Sequence, residues 1–531
     1  MGYFSKLMKS TILLLFLSLV LVPASTDEEG FISVLISNKG LDFVKDVLIK
    51  SAISSIIPLQ LPLIEKPVKI PVIGTVHLHL SNITIYSVDI TSSYVETGDT
   101  GIVLVASGAT AHLSLNWSYH YHALVIDISD HGTAAVEGYA LDSQGEKKRG
   151  WERVALFCIC AVVKESIRVL SVATSIKVEG MQVGVTVALE DQEGTLKLNI
   201  LDSGCHVKDI SVKLDGGASW LYQVFVDAFG GTIRSAVEDN IMKKIREGMM
   251  KLDSLLQSLP KKIAVNDIVA MNVTFTGNPI LSNSSVELEI NGLFLATDDL
   301  VSKLHLKASS ALVYCTKMVE MSLHENVFNS LSAVLFDAGY MQWIVDEVPD
   351  YPSILNTFKW RFIVPELYRQ YPNDNMDLHI TVTSPPIIKV VNNDIDVTIY
   401  LDVTVEVLDA PGVIPVLSIS LEISASCSLD IMRKKLVGSL ELKHFNADLN
   451  WSTIGTLHMH LIESLMAVVL KTIVIPYANL QLRNGIPLPL LHGFTLRNAD
   501  IFCTDSMVIV CSNVAYAAEL NSLSRHFALS R

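Results

Sequence analysis

The chain has 531 residues, 50% of them hydrophobic and only 18% charged, with a mean hydropathy of +0.40 and a formal net charge of -15. That charge argues against a nucleic-acid partner held through its phosphates and gives no support for bulk attraction to anionic membranes. The length has room for two or more domains, and the apolar surplus can line a cavity as well as fill cores.

At the N-terminus Lys6 and Lys9 precede the apolar run Ile12 to Val22, followed by Val22-Pro23-Ala24-Ser25. This reads as a cleaved secretory signal over residues 1–25, the apolar run falling short of the ~20 residues a spanning helix needs. The mature chain is therefore expected to be secreted and extracellular.

Gly40 to Ile56 reads as a helix with Leu41, Val44, Val47 and Leu48 on one stripe. Strands follow over Val76 to Ile85, Gly101 to Leu115 and Met181 to Leu201. Between them, Gly138 to Lys177 interrupts the strand pattern. Joining Ala135-Val136-Glu137 to Val178-Glu179-Gly180 restores alternation with a phase slip at Gly180, where a bulge is the natural cause. The segment is expected to loop out as an insertion. A long helix is predicted over Gly217 to Leu259, carrying Leu221, Val224, Phe225 and Ala228, then Val237, Ile241 and Ile245. Ser258-Leu259-Pro260 stops it, and a domain boundary is expected near Pro260 to Asp267.

The second half repeats the order. Val286 to Leu295 reads as strand and Leu323 to Val348 as a helix with Val327, Leu331, Val334 and Leu335 on one face. Strands are predicted over Leu378 to Val382, Asp396 to Leu408, Val416 to Leu429 and Leu436 to Leu449, several with the period of two of a half-buried antiparallel strand. A last helix, His460 to Arg483, aligns Leu465, Val469 and Ile473, and Glu463 and Lys471 argue against its spanning a bilayer. Each half thus runs helix, strands, helix. The expected fold is α+β, with two similar modules, each a twisted antiparallel sheet wrapped around long helices. The modules cover residues 26–260 and 261–520, and a polar tail covers 521–531.

Seven cysteines are too few to build a fold of this length. Ile501 to Ser512 reads strand, turn, strand, and nominates Cys503 with Cys511 as a disulfide. Cys158-Ile159-Cys160 lacks metal-site spacing. Asn82, Asn116, Asn272, Asn283 and Asn450 head glycosylation sequons. The chain has no nucleophile elbow, no His-Glu-x-x-His and no phosphate loop, and His77-Leu78-His79 and His458-Met459-His460 have no carboxylate or cysteine in a recognisable ligand spacing, reading as solvent-facing positions. No catalytic residue, cofactor or metal is expected.

Several blocks are more specific than any of these patterns. They include Ile56-Ile57-Pro58-Leu59-Gln60-Leu61-Pro62, Asp215-Gly216-Gly217-Ala218-Ser219-Trp220-Leu221, Val364-Pro365-Glu366-Leu367-Tyr368-Arg369-Gln370-Tyr371-Pro372, Ser384-Pro385-Pro386 and Asn484-Gly485-Ile486-Pro487-Leu488-Pro489. Through them the chain resembles the family of bactericidal/permeability-increasing protein and lipopolysaccharide-binding protein, closest to its plant members, over nearly the whole mature length. The resemblance implies a boomerang of two barrel-like modules joined by a central sheet. It implies one apolar pocket per module for phospholipid acyl chains, binding of bacterial lipopolysaccharide, and a role in innate immunity. The helical stripes named above are then the expected pocket linings, and a membrane surface or a receptor is a further candidate partner. Alternatives are a lipid carrier without lipopolysaccharide recognition and, more remotely, a secreted lipid hydrolase or a pore-forming protein.

The sequence departs from the animal members at the lipopolysaccharide site, where Asn116-Trp117-Ser118-Tyr119-His120-Tyr121-His122 carries no lysine. The site implied by the resemblance is Lys66, Lys69, Trp117, Tyr119, His120, Tyr121 and His122, with the histidines charged only below about pH 6.5. Cys205 matches a family disulfide cysteine, but Lys243 to Gly248 offers no partner, so that bridge is expected to be absent.

Overall fold

The computed structural model describes residues 30–70, 74–98, 101–123, 126–134, 174–214, 219–296, 315–348, 353–409, 412–455, 457–490 and 493–516. The signal segment, most of the expected insertion with Cys158 and Cys160, and the tail lie outside them. The helices are α1 (Asn38–Ile56), α2 (Ser219–Gln257), α3 (Glu325–Asp337), α4 (Thr357–Trp360), α5 (Pro365–Gln370), α6 (Met459–Val469) and α7 (Ile475–Leu482). A π-helical turn, Leu470–Val474, joins the last two. Pro476 follows it in the first turn of α7, where its missing N–H removes the bond that would close a regular turn.

A nine-stranded antiparallel sheet makes the first module, with its main path running Asp209–Leu214, Thr174–Gln192, Gly101–Ala123, Gly74–Asp89, Leu59–Gln60. Its inner face is a core of Leu78, Leu80, Ile83, Leu113, Leu115, Ile176 and Val178, closed by Phe229, Ile233 and Val237 of α2. Apolar side chains at alternate strand positions produce this one-sided burial. Opposite Ala109 and Ala111 the register shifts across Gly180, whose φ of +65° is open to glycine at little cost. The bulge therefore sits where the alternation slipped. Thr174 to Lys177, part of the segment expected to loop out, instead pair with Leu214 to Ser211 on one side, and Ile176 and Lys177 with Leu113 and His112 on the other. They belong to the ladder.

Seven strands make the second module's sheet, ordered Gln342–Val345, Asn375–Val382, Asp394–Asp409, Gly412–Met432, Lys435–Ser452, Ile486–Pro487, with Ile387–Val391 paired to Asp394–Asp409. Its core takes Ile462, Leu465, Met466, Val469 and Leu470 from the late helix. The continuous helical stretch Met459–Leu482 is long and apolar enough to cross a membrane, yet this face of it is core.

A six-stranded sheet stands between the two. The early strand Ile32–Ser37 lies between Ser285–Ile290 and Val319–His324, and Met507–Tyr516 and Phe494–Thr504 complete that edge. The first and last described strands thus belong to one sheet, which gives the molecule two modules around a shared centre. A small three-stranded sheet, Lys262–Ala264, Val269–Asn272 and Phe294–Ala296, packs beside it.

One predicted helix is shorter than expected. Leu323 to Val348 divides into the end of the strand Val319–His324, α3, and the strand Gln342–Val345. The strand's six residues are all buried, so it has no alternation for a sequence reading to find.

Candidate functional site

α1 is docked at its first turns and open beyond them. Ser37 caps it, its Oγ accepting from Gly40 N at 3.4 Å. Leu41 is buried, and so is Lys45, whose Nζ donates to Ser93 O and pairs with Asp42 and Asp46 at 3.2 and 3.3 Å. From there the apolar face loses cover: Phe43, Val44, Val47, Leu48, Ile49, Ala52 and Ile53 are all only half-buried.

Leu41 belongs to a separate small apolar cluster with Ile102, Val185, Val187 and Leu198 of the first sheet. Half-buried against that cluster is a stripe on the C-terminal part of α2, Ile245, Met249, Leu252 and Leu256. Its spacing of four, three and four residues is that of one helix face. Met249, Leu252 and Leu256 are missing from the sequence-derived site although that periodicity was available to find them. Where α1, this stripe and the sheet come together, the side chains are apolar and incompletely covered.

The other expected lining residues are placed differently. Leu221, Val224 and Phe225 lie on the first turns of α2, outside the described side chains. Ala228 packs on the closed core of the first module. In the second module Val327 is fully buried, with Leu331 and Leu335 packed on the same core, and Leu465 and Val469 are buried while Ile473 packs over them. Leu331, Leu335 and Ile473 are half-buried, as are Val44, Val47 and Leu48 of α1 in the first module.

The strand register brings the expected headgroup site together but divides it. Lys66 pairs with Leu78 and Leu78 with Tyr119, while Lys69 pairs with Thr75, and His77 with both Pro67 and His120. Trp117 pairs with Leu80, and Tyr121 with Val76. Tyr121 and His122 also pair with Ile128 and Asp127. Alternation sets Lys66 and Lys69 on opposite faces of their strand. The Lys66 ammonium donates to Ala228 O of α2 at 2.7 Å, and Trp117 packs on the first module's core. The outward histidine positions agree with the sequence reading: His77 is exposed, and His79 Nδ1 lies 3.1 Å from Glu65.

The expected Cys503–Cys511 bridge is not formed. The hairpin is present, but its register sets Cys503 opposite Val508 and Cys511 opposite Asp500. The offset of three puts the sulfurs on opposite faces, Cys503 against the central core and Cys511 with Met507 and Ile509. Cys205 is also a free thiol, pushed up to about 12 by burial first and by the Glu238 carboxylate second. Of the sequon asparagines, Asn82, Asn283 and Asn450 are exposed. Asn116 and Asn272 are half-buried, and Asn272 Oδ1 already accepts from Thr274 N and Oγ1.

Family models for the N-terminal domain of the LBP/BPI/CETP family match residues 40–259, and for its C-terminal domain residues 264–516. The chain belongs to this family. A protein of Arabidopsis thaliana described only as a BPI/LBP family member is 45% identical over 510 residues, 95% of this chain and 96% of its own. Lipopolysaccharide-binding protein of Bos taurus is 26% identical over 361 residues, covering 67% of this chain and 75% of that one. The crystal structure of a lipopolysaccharide-binding protein superimposes with a TM-score of 0.60 at 18% identity, over 92% of this chain and all of that one. The two-module family architecture is thus shared with this chain.

Proposed function

We propose that this family member is a secreted, non-enzymatic lipid-binding protein that takes phospholipid acyl chains into a cleft of the first module between α1 and the C-terminal stripe of α2, with bacterial lipopolysaccharide as a candidate ligand in innate immune defence. The observation that carries the reading is the half-buried apolar face of α1 beside the α2 stripe Ile245, Met249, Leu252 and Leu256. An acyl chain laid there gains ~0.8 kcal/mol per buried methylene, so a cleft without a polar anchor can still bind tightly. Membership of the family supports lipid binding in general, and the animal relatives named for lipopolysaccharide support that ligand.

One observation favours the narrower alternative, a lipid carrier without lipopolysaccharide recognition: Lys66 is engaged with α2 and Lys69 lies on the other face. For the membrane surface the second module offers a candidate contact. There Phe362 is 77% exposed and Phe358 41% exposed, with the Arg361 guanidinium 3.7 Å and 4.5 Å from the centroids of Phe358 and Phe362.

The test is lipid extraction from gently purified full-length protein with mass spectrometry, together with uptake of a fluorescent fatty acid. We expect bound phospholipid and saturable uptake, weakened at least about tenfold by Val44→Asp and by Leu252→Asp because each puts a charge where an acyl chain would lie. Circular dichroism confirms that the variants fold. A folded wild-type protein that is lipid-free and excludes the probe rejects the reading, as does release of free fatty acid from a labelled phospholipid.

A further inference from the structure

On the surface of the central sheet away from its main core, three donor groups meet. Cys511 of Met507–Tyr516 stands directly across from Glu320 of Val319–His324, and Cys315 lies on the segment leading into that strand. The two Sγ atoms and a Glu320 carboxylate oxygen all lie within 4.8 Å of one another, and Cys315 Sγ donates to Val319 O at 3.9 Å. Around them Met507, Ile509 and Cys511 are buried, with Cys315 packed on top.

We propose that Cys315 and Cys511 form the disulfide of this module when the chain folds under oxidising conditions. Close sulfurs on neighbouring segments are what bridging requires, and neither Cys503 nor Cys205 has this relation to Cys511. Burial with Met507 and Ile509 suits a neutral disulfide. A metal held by the same atoms would need two thiolates beside a buried carboxylate, and burial followed by the Cys315 contact holds the Cys511 thiol far above its usual value.

The chemistry is thiol–disulfide exchange with an oxidant of the disulfide class, such as oxidised glutathione or a protein disulfide. The thiolate of one cysteine attacks the oxidant's disulfide and expels a thiolate. The second cysteine's thiolate then attacks the mixed disulfide and expels the other. In sum the two cysteines give up two protons and two electrons, and the oxidant leaves as two thiols. With one thiol so hard to ionise in the folded state, oxidation accompanies folding and is slow afterwards. The bond fastens the entry of one central strand to another strand about two hundred residues away, and closing so long a loop restricts the unfolded chain strongly. The inference does not depend on the lipid reading.

The full chain is refolded with mixed reduced and oxidised glutathione, alkylated in denaturant, and digested with trypsin and Asp-N, which separates Cys503 from Cys511 at Asp505. We expect one cross-linked peptide pair joining Cys315 to Cys511. Reduction, Cys315→Ser, Cys511→Ser and the double variant should all lower the melting temperature by the same amount, at least about 3 °C. Recovery of both cysteines as alkylated peptides overturns the proposal. So does a bridge from Cys511 to Cys503, or one equivalent of zinc retained by the wild type and lost in Cys511→Ser.

Discussion

His324 ends a central strand and caps α3, its Nδ1 accepting from Asn326 N at 3.1 Å while the ring packs edge-on against Phe31. A cap of this kind works only with a neutral imidazole, because the imidazolium has no lone pair to offer. Burial holds its pKa below the ordinary 6.5, and the neighbouring Glu325 only partly opposes this. The unfolded chain therefore takes the proton more readily. The stability His324 contributes is complete above about pH 6.5 and is lost as the pH falls from there toward the depressed folded value. Asparagine caps without titrating, so His324→Asn should reduce the drop in melting temperature between pH 7.5 and 5.5. An unchanged drop would mean that His324 does not report acid. Gly40 works at the same scale by close approach: a Cβ there would lie 2.4 Å from Met318 O, so only glycine lets α1 start against the central sheet and leave its later turns open.

Among the elements, the strands Ile64–Ile70, Gly74–Asp89 and Gly101–Ala123 carry the headgroup question. Were the lysines to bind phosphates, affinity would fall steeply with salt. With Lys66 tied to Ala228 and Lys69 on the other face, we expect a rise from about 50 to 200 mM salt to weaken lipopolysaccharide binding less than about tenfold. Lys66→Ala with Lys69→Ala should cost little by comparison with Trp117→Ala. Stronger binding at pH 5.5 than at 7.5 is expected if positions 120 and 122 contribute charge. Steep salt dependence without a pH effect would move the site elsewhere. How far these elements were legible depended on environment. Asp396 to Tyr400 shows its period of two because one face is core, Val397 buried with Ile399 half-buried, and the four main strands of the second sheet could be read directly. Val319–His324 was hidden because it is buried on both faces. The hairpin at Asp505-Ser506 was legible as an element but its register was not: Thr504 pairs with Met507, and that single choice separates Cys503 from Cys511. The lining Met249, Leu252 and Leu256 carried a readable period, but nothing in a helical stripe distinguishes a cleft from a core.

For the whole molecule, a net charge of -15 opposes approach to an anionic bilayer, so any attachment has to be local. The exposed pair Phe358 and Phe362 is held in place from beneath. Trp360 between them is 1% exposed and donates from Nε1 to Ile354 O at 2.8 Å, and Thr357 Oγ1 donates to Tyr371 O at 2.6 Å. Lys359, Arg361 and Arg369 flank the aromatics with Glu366 and Asp374 as the acids beside them, a small local excess of positive charge that can contribute about 1 kcal/mol per cation beside an anionic leaflet. Preordered aromatic rings lose little entropy on entering the interface. The central sheet interleaves early and late strands, and the patch lies in the second module, so a bilayer could be engaged there while the first module carries lipid. Phe358→Ser with Phe362→Ser should therefore reduce cosedimentation with phosphatidylglycerol vesicles at least about tenfold, and with phosphatidylcholine vesicles less, while fatty-acid uptake by the cleft stays the same. Retained vesicle binding in the double variant would remove the patch from the reading, and a parallel loss of uptake would show that the two sites are not separate.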